Sequence, residues 1–274
     1  MTNLNVVLVS DTHLSPEGRD AEAHWEAVLC HVEAEAPDAV IHLGDLTDSG
    51  AHEPDDLDYG RRQLDRLPVR WHAVPGNHDV GDNPWPGSPP GITVSAERRQ
   101  RWLEAIGPDN WSLTVDGWTL LGLNAQLFES DLAAEEQQWS WLREQVSGCD
   151  ENQAIALFSH KPFITAEAEL ESSPVYRFAP RSAWRRLRDL CTDRRLALVL
   201  SGHVHQYRQL RMDDVDHLWV PTAWSVLPDE TQPVLGAKRC GIMTLEVADG
   251  TAPRHAMVEP DGLRQLTLPA HAPG

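Results

Sequence analysis

The chain has 274 residues, 41% of them apolar, which is enough to bury a sizeable core in one compact domain. Its formal net charge is -19, from 42 acidic and 23 basic residues, which argues against a protein that binds a nucleic-acid polymer or an anionic membrane by charge. The four cysteines are scattered, no signal peptide pattern is evident and no apolar run is long enough to cross a bilayer, so we expect a cytoplasmic protein with a small or neutral partner.

Six short apolar runs are typical of β-strands that are buried on both faces of a sheet. They cover residues 5–10, 39–44, 69–74, 119–124, 154–159 and 196–201. Segments with helical spacing lie between several of these runs, at residues 20–36, 57–67, 95–106, 135–147 and 181–193. The alternation predicts parallel strands joined by helical crossovers.

From about residue 206 the pattern changes to short stretches without a helical period, such as HQYRQLR, DHLWV and CGIMTLEV. Asp, Pro and Gly separate these stretches, which indicates a β-rich C-terminal part. We expect this part to form a second sheet that packs against the first, and a small separate β subdomain is the alternative. The predicted fold is a layered α/β sandwich, formed as a single domain over residues 1–274.

Five of the six runs lead directly into side chains that can bind a metal ion. These side chains are Asp11, His13, Asp45, Asn77, His78, Asp79, His160, His203 and His205. Ligands in open α/β sheets bind outside the carboxyl ends of the strands, so we expect these residues to converge on one crevice. Each of these motifs alone is weak evidence for a metal site, because a single histidine after a strand more often has a structural role. Together they favour a metal site, since burying so many polar groups would cost several kcal/mol unless a cation or hydrogen bonds satisfied them.

The number of ligands indicates two ions. Seven of these side chains are counted as ligands: Asp11, His13, Asp45, Asn77, His160, His203 and His205. All seven offer nitrogen or oxygen and none offers a thiolate, and their number exceeds the four protein ligands of a structural zinc site. The mixture of imidazole and carboxylate favours divalent or mixed-valence Fe, Mn, Zn or Co over Ca or Cu. On a strand, His203 and His205 would share a face and one ion. The glycine before them starts a turn, and the ligand count favours placing them on different ions.

The blocks SDTH, GDLTDSG, PGNHD, SH and GHVH occur in this order up to residue 205 and resemble the calcineurin-like metallophosphoesterases. Within that family, GDLTDSG and PGNHDV are similar to the bacterial class III cyclic nucleotide phosphodiesterases and their glycerophosphodiesterase relatives. The resemblance implies an αββα sandwich of two mixed sheets flanked by helices. It also implies that a metal-activated water hydrolyses a small-molecule phosphodiester, either a 3′,5′-cyclic nucleotide or a glycerophosphodiester.

The resemblance also implies a role for each candidate ligand. One ion would be held by Asp11, His13 and His205, the other by Asn77, His160 and His203, and Asp45 would bridge them. His78 matches the histidine that binds neither ion but stabilises the phosphoryl oxygens or protonates the leaving oxygen. Asp79 would orient this site by hydrogen bonding.

Two other functions stay open from the sequence. A phosphomonoesterase or protein phosphatase would use the same metal site and differ in loops that the motifs do not define. A non-catalytic binding scaffold is disfavoured because every ligand position, and that of His78, is filled. The sequence leaves the oligomeric state open.

Several residues are weaker candidates for contact with the substrate. Trp85 lies in the irregular loop 81–91 and has no periodic face to join, so we expect it to shape the substrate entrance. Lys161, Tyr176 and Arg177 lie in the stretch 161–180, which is predicted to be a long loop over the site or simply a solvated loop.

Four further residues near the motifs are considered, and three of them could have a structural role instead of a role at the site. Asn124 ends a predicted strand, where it could line the cleft or cap a turn. Asp48 could orient the site, although aspartate in a glycine-containing turn is commonly there for the turn itself. His42 is predicted to be a packed, hydrogen-bonded histidine, and Tyr207 is a further weak candidate beyond His205.

Overall fold

The computed structural model describes residues 3–89, 91–163 and 177–269. The strands are β1 (Leu4–Val9), β2 (Ala39–His42), β3 (Arg70–Ala73), β4 (Trp111–Val115), β5 (Trp118–Leu123), β6 (Ala154–Ser159), β7 (Arg195–Ser201), β8 (Arg208–Met212), β9 (Val215–Trp219), β10 (Ile242–Val247) and β11 (Arg254–Val258). The helices are α1 (Arg19–Glu35), α2 (Pro54–Leu64), α3 (Asn77–Val80), α4 (Ala96–Ala105), α5 (Ala133–Gly148) and α6 (Arg181–Leu190), with a 3-10 turn at Ala125–Leu127. The six predicted strands and five predicted helices are all present, with ends shifted by at most three residues.

The strands form two mixed sheets. The first has the order β11-β10-β1-β2-β3, and the second has the order β4-β5-β6-β7-β9-β8. Strands β1 to β3 are parallel, as are β5, β6, β7 and β9, which confirms the predicted crossovers. The expectation that the C-terminal part forms the second sheet is wrong, because β8 and β9 extend the second sheet while β10 and β11 extend the first.

Three buried apolar layers hold the sheets and helices together. Between the two sheets lie side chains such as Leu8, Phe158 and Leu200. Trp25 of α1 belongs to the layer that covers the first sheet, and Trp184 of α6 belongs to the layer that covers the second. Each fully buried large side chain contributes about 1.5–3 kcal/mol. The predicted αββα sandwich is therefore confirmed.

The sandwich brings the carboxyl ends of strands from two different sheets to one edge. The loops after β1 and β2 are joined by the amide of Asp11, which donates to the carbonyl of Gly44 at 3.0 Å. The loops after β6 and β7 are joined by the amide of Gly202, which donates to the carbonyl of His160 at 2.8 Å. The amide of His203 donates to the carboxylate of Asp11 at 3.0 Å and so links the two sheets.

The four cysteines form no disulfide. Across the described ranges, no helix combines the length and apolar character that crossing a membrane requires.

His217 on β9 makes stability depend on pH. It is buried against Trp184, with ring centroids 5.1 Å apart, and burial lowers its pKa to about 4 although Asp213 and Asp216 act in the opposite direction. The folded state therefore keeps this imidazole neutral at pH values where the unfolded chain binds a proton. The free energy of unfolding should fall as the pH drops from 6.5 towards 4.

The variant His217→Phe should lose this contribution, so its free energy of unfolding should fall less over that interval, by up to about 3 kcal/mol. Urea denaturation of metal-free protein at several pH values would measure the difference. Equal declines in the wild type and the variant would contradict the assignment.

Candidate metal centre

The loops that carry the predicted ligands have an unusual backbone conformation. Five of the ligands have φ between 45° and 67°, in the left-handed region that residues other than glycine rarely adopt. They are Asp11, His13, Asp45, His203 and His205. Residues held in this region each cost of order 1–3 kcal/mol and concentrate at functional sites. The surrounding hydrogen bonds between loops hold this conformation in place.

Glycines in the motifs let these loops approach one another. Gly44 has a φ of 92°, and a Cβ at this position would lie 2.7 Å from both the amide nitrogen of Gly76 and Nδ1 of His160. A Cβ at Gly202 would lie 2.7 Å from Oδ2 of Asp11. No other residue fits at either position without moving a predicted ligand.

The first cluster consists of Asp11, His13 and His205. Nε2 of His205 lies 3.3 Å from Oδ1 of Asp11 and 3.3 Å from Nε2 of His13. The Nδ1–H of His205 donates to the carbonyl of Ser225 at 2.5 Å. This hydrogen bond leaves Nε2 of His205 as the atom with a free lone pair that faces the other two side chains.

The second cluster consists of Asp45, His160 and His203, with Asn77 beside them. Nε2 of His160 lies 3.2 Å from Oδ2 of Asp45, 3.2 Å from Oδ1 of Asn77 and 3.1 Å from Nδ1 of His203. The Nδ1–H of His160 donates to the carbonyl of Leu43 at 2.8 Å, which again directs Nε2 into the cluster. His203 and His205 thus lie in different clusters.

Asp45 joins the two clusters. Its Oδ2 lies 3.2 Å from Nε2 of His160 and 3.8 Å from Nε2 of His13, and its Oδ1 accepts the backbone N–H of His78 at 2.8 Å. Burial by itself raises the pKa of Asp45, but the surrounding histidines hold it well below its usual value. This carboxylate is therefore ionised and lies within reach of ions in both clusters.

The donor set fits two first-row divalent ions. Imidazole nitrogens face each other at 3.3 Å in one cluster and 3.1 Å in the other, an arrangement that needs a cation or a proton between the lone pairs. Burial lowers the pKa of His160, but Asp45 and Asp11 outweigh it and raise this pKa to about 9. An ion entering the second cluster must therefore displace a proton.

His78 lies beside both clusters and forms a third group of possible ligands with His13 and Asp48. Its Nδ1–H donates to the carbonyl of Asp48 at 2.6 Å, and its ring centroid lies 4.6 Å from that of His13. Burial lowers the pKa of His78, yet the carboxylates of Asp45, Asp48 and Asp79 together raise it above its usual value. Its Nε2 can therefore carry a proton near neutral pH.

Asp79 is fully buried and binds backbone rather than facing the clusters. Its carboxylate accepts the N–H groups of Gly76 at 2.8 Å, Leu46 at 3.2 Å and Thr47 at 2.9 Å, as well as the hydroxyl of Thr47 at 2.8 Å. Burial, with the charge of Asp45, raises the pKa of Asp79 to about 6. Asp79 thus holds the loop after β2 against α3.

His42 is the packed, hydrogen-bonded residue that the sequence suggests. Its Nδ1 accepts the N–H of Gly44 at 3.2 Å, and its Nε2–H donates to the hydroxyl of Thr12 at 3.0 Å, which donates to the carbonyl of Leu46 at 2.9 Å. Burial lowers the pKa of His42 to about 3, so the ring is neutral. Asp48 approaches His13, with Oδ1 3.7 Å from Nδ1, and its side chain is about half exposed.

Three of the weaker candidates bind other parts of the protein instead of facing an open cleft. Asn124 is fully buried, donates to Asp109 at 2.9 Å and caps the 3-10 turn by accepting the N–H of Gln126 at 3.0 Å. Of the two roles considered for Asn124, capping a turn therefore fits the structure better than contact with the substrate. Arg177 is largely buried and donates to the carbonyl of Thr231 at 2.9 Å.

Lys161 is also buried, and it is not a solvated loop residue. Its ammonium group is fully buried and donates to the carboxylate of Asp82 and, at 2.6 Å, to Oδ1 of Asn83. Burial lowers the pKa of Lys161 and raises that of Asp82, while their mutual attraction acts in the opposite direction. This ion pair joins the segment after His160 to the loop 81–91.

The remaining two described candidates are half-buried. Trp85 lies in a turn in which its N–H donates to the hydroxyl of Ser88 at 2.8 Å. Tyr207 is bonded through its backbone to Ala237. Tyr176 lies outside the described residues. Their roles at the substrate stay predictions.

Residues 220–226, which follow β9, belong to the site and were missed by the sequence analysis. The hydroxyl of Thr222 donates to the carbonyl of Asp11 at 3.0 Å, the carbonyl of Ser225 accepts from His205, and the ring of Trp224 lies 4.8 Å from that of His13. Because β9 runs parallel to β7, its carboxyl end points to the same edge. Ligands bind outside the carboxyl ends of parallel strands, and this rule would have identified residues 220–226 if DHLWV had been assigned to the same sheet as β7.

The buried ion pair of Lys161 and Asp82 yields a stability prediction. Lys161→Met leaves a carboxylate buried without its cation, so it should lower the free energy of unfolding by about 3–5 kcal/mol. The double variant Lys161→Met/Asp82→Leu should recover most of this loss, because no charge remains buried. Urea denaturation would measure all variants.

The matched control is Arg264→Met, which breaks an exposed pair with Asp20 and should cost less than about 1 kcal/mol. If the double variant were as unstable as Lys161→Met, the unpaired charge would not be the cause of the loss.

Comparisons with known proteins agree with this arrangement. The family model described as calcineurin-like phosphoesterase matches residues 4–207. A probable glycerophosphodiester phosphodiesterase, GpdQ, from Arcobacter nitrofigilis is 26% identical over 214 residues, which cover 73% of this chain and 71% of the relative. A probable cyclic nucleotide phosphodiesterase from Psychrobacter arcticus is 24% identical over 221 residues, 74% of each chain.

Phosphatases are also similar. The human serine/threonine-protein phosphatase CPPED1 is 27% identical over 181 residues, which cover 62% of this chain and 54% of the relative. The crystal structure of a dimetal phosphatase from Danio rerio superimposes with a TM-score of 0.65 at 13% identity, covering 93% of this chain and 97% of the other, which shows a common fold. With the family model matching most of its length, this chain belongs to the calcineurin-like phosphoesterase family and is a metal-binding phosphoester hydrolase.

Proposed function

We propose that the protein hydrolyses small-molecule phosphodiesters at two metal ions, with 3′,5′-cyclic nucleotides or glycerophosphodiesters as the substrate class. The observation that carries this proposal is the pair of ligand clusters joined by Asp45, with His78 beside them. The names of the relatives from Arcobacter and Psychrobacter support a diester substrate. A cytoplasmic location and the absence of nucleic-acid or membrane partners stay predictions.

We assign the residues of the two clusters to two ions drawn from Fe, Mn, Zn or Co. Asp11, His13 and His205 would hold one ion, Asn77, His160 and His203 the other, and Asp45 both. When bound, such ions neutralise charge on the phosphoryl oxygens and lower the pKa of a water molecule that attacks phosphorus.

The chain itself supplies a proton for the departing oxygen. Because the carbonyl of Asp48 fixes Nδ1–H of His78, the proton available to a substrate is the one on Nε2. The nearby carboxylates raise the pKa of His78, which favours the protonated ring that a general acid requires. Asp79 holds α3, and hence His78, against the loop of Asp45.

A phosphomonoesterase or protein phosphatase is the second candidate, and the name of CPPED1 supports it. One observation favours the diesterase. The half-exposed carboxylate of Asp48, close to His13 and His78, repels a dianionic monoester more strongly than a monoanionic diester. A binding scaffold is disfavoured because each ligand position and His78 are filled.

A substrate panel distinguishes the two enzymes. On protein with measured metal content, bis(4-nitrophenyl) phosphate should be hydrolysed with a higher kcat/KM than 4-nitrophenyl phosphate. Cyclic nucleotides and glycerophosphodiesters should likewise be better substrates than phosphomonoesters. A clear preference for monoesters would replace the proposal by the phosphatase alternative.

Two variants test the assigned roles. Asp45→Ala should lose metal and activity together, because both clusters share this carboxylate. His78→Ala should keep two ions per chain but lower kcat by about 100-fold or more, the usual contribution of a general acid. His52→Ala, which changes an exposed histidine outside the clusters, is the control and should match the wild type. Two retained ions in the Asp45 variant would refute the bridging role.

A further inference from the structure

The loop after β9 places Trp224 at the edge of the first cluster. The N–H of Trp224 donates to the hydroxyl of Thr222 at 3.0 Å, and that hydroxyl donates to the carbonyl of Asp11. On the other side, the carbonyl of Ser225 accepts from His205. Trp224 therefore lies between two residues that are each bonded to a predicted ligand or its backbone.

The side chain of Trp224 is only partly buried although it lies beside buried polar groups. Its ring centroid is 4.8 Å from that of His13, and the planes are tilted by 42°. His13 in turn makes an edge contact with His78, with centroids 4.6 Å apart. Trp224, His13 and His78 thus form a row of rings along one side of the first cluster.

The indole is not needed to fill the cores of the fold. It belongs to none of the three apolar layers, whereas most other large aromatic side chains in the described ranges are buried within these layers or packed against them. A partly exposed indole fixed beside a reaction centre is suited to bind a flat apolar or heteroaromatic group by stacking.

We propose that Trp224 is the wall that receives the ester group which stays on the phosphorus of the substrate, and that it selects planar aromatic groups such as a nucleobase. The inference rests on the proposed diesterase activity and narrows it. A glycerol group has no flat face to stack, so a nucleoside phosphodiester is the substrate class that this wall favours over a glycerophosphodiester.

Three diesters with one leaving group test the proposal. They are methyl 4-nitrophenyl phosphate, bis(4-nitrophenyl) phosphate and thymidine 5′-(4-nitrophenyl phosphate). In each, water attacks phosphorus, the bond to the 4-nitrophenolate breaks and the other ester group remains. Only that remaining group differs, so ratios of kcat/KM report how the site treats it.

Trp224→Ala should lower kcat/KM for the thymidine diester about tenfold, as expected for loss of one stacked base, and leave the methyl diester within about twofold. Trp224→Phe should keep most of the preference, because it restores a flat ring. The matched control is Trp141→Ala, which changes a half-buried tryptophan on α5, and it should behave like the wild type. Metal content should be two ions per chain throughout.

An equal loss on all three diesters would overturn the inference, since it would mean that Trp224 only supports His13. Calorimetric binding of thymidine 5′-phosphate to the metal-loaded protein gives a measurement that needs no turnover. Trp224→Ala should weaken this binding about tenfold, and unchanged binding would count against the wall. If the wild type cleaves no diester yet Trp224 affects this binding, the proposed function fails while the wall stands.

Discussion

The carboxylate of Asp45 is the contact on which the site depends. It follows β2 of the first sheet, yet it contacts His160, which follows β6 of the second sheet, and His13. Its other oxygen holds the N–H of His78 at 2.8 Å. One ionised group therefore sets the spacing of both clusters and of the candidate acid. These contacts therefore tie a loop of the first sheet to a loop of the second sheet.

The backbone around Asp45 is strained because ligands from several strand ends must meet there. Ligands from five strand ends can meet only if the chain turns sharply after each strand, and the left-handed conformations at Asp11, Asp45 and His203 provide these turns. Gly44 and Gly202 remove the side chains that would keep the loops apart. The free energy stored here is offset by the three apolar layers, which bury large side chains away from the site.

Much of this could be predicted from the sequence, because strands buried on both faces leave continuous apolar runs and ligands follow the strand ends. The edge strand β4 was missed, since its side chains are only alternately covered and it forms no apolar run. The division of strands between two sheets was also not readable, because local sequence does not determine which strands become neighbours. For the same reason, Lys161 and Asn124 could not be recognised as buried: their partners, Asp82 and Asp109, are distant in sequence.

Two kinds of loop lie at this edge. The loops after β1, β2, β3, β6 and β7 carry imidazole, carboxylate and amide groups that face one another. Residues 220–226, which follow β9, carry Trp224 as their one large side chain, and hydrogen bonds to the ligand loops hold the backbone around it. A polar centre made by five loops can bind any phosphoryl group, so discrimination between esters must come from what borders it. Trp224 borders this centre directly, because its ring centroid lies 4.8 Å from that of His13, a ligand of the first cluster.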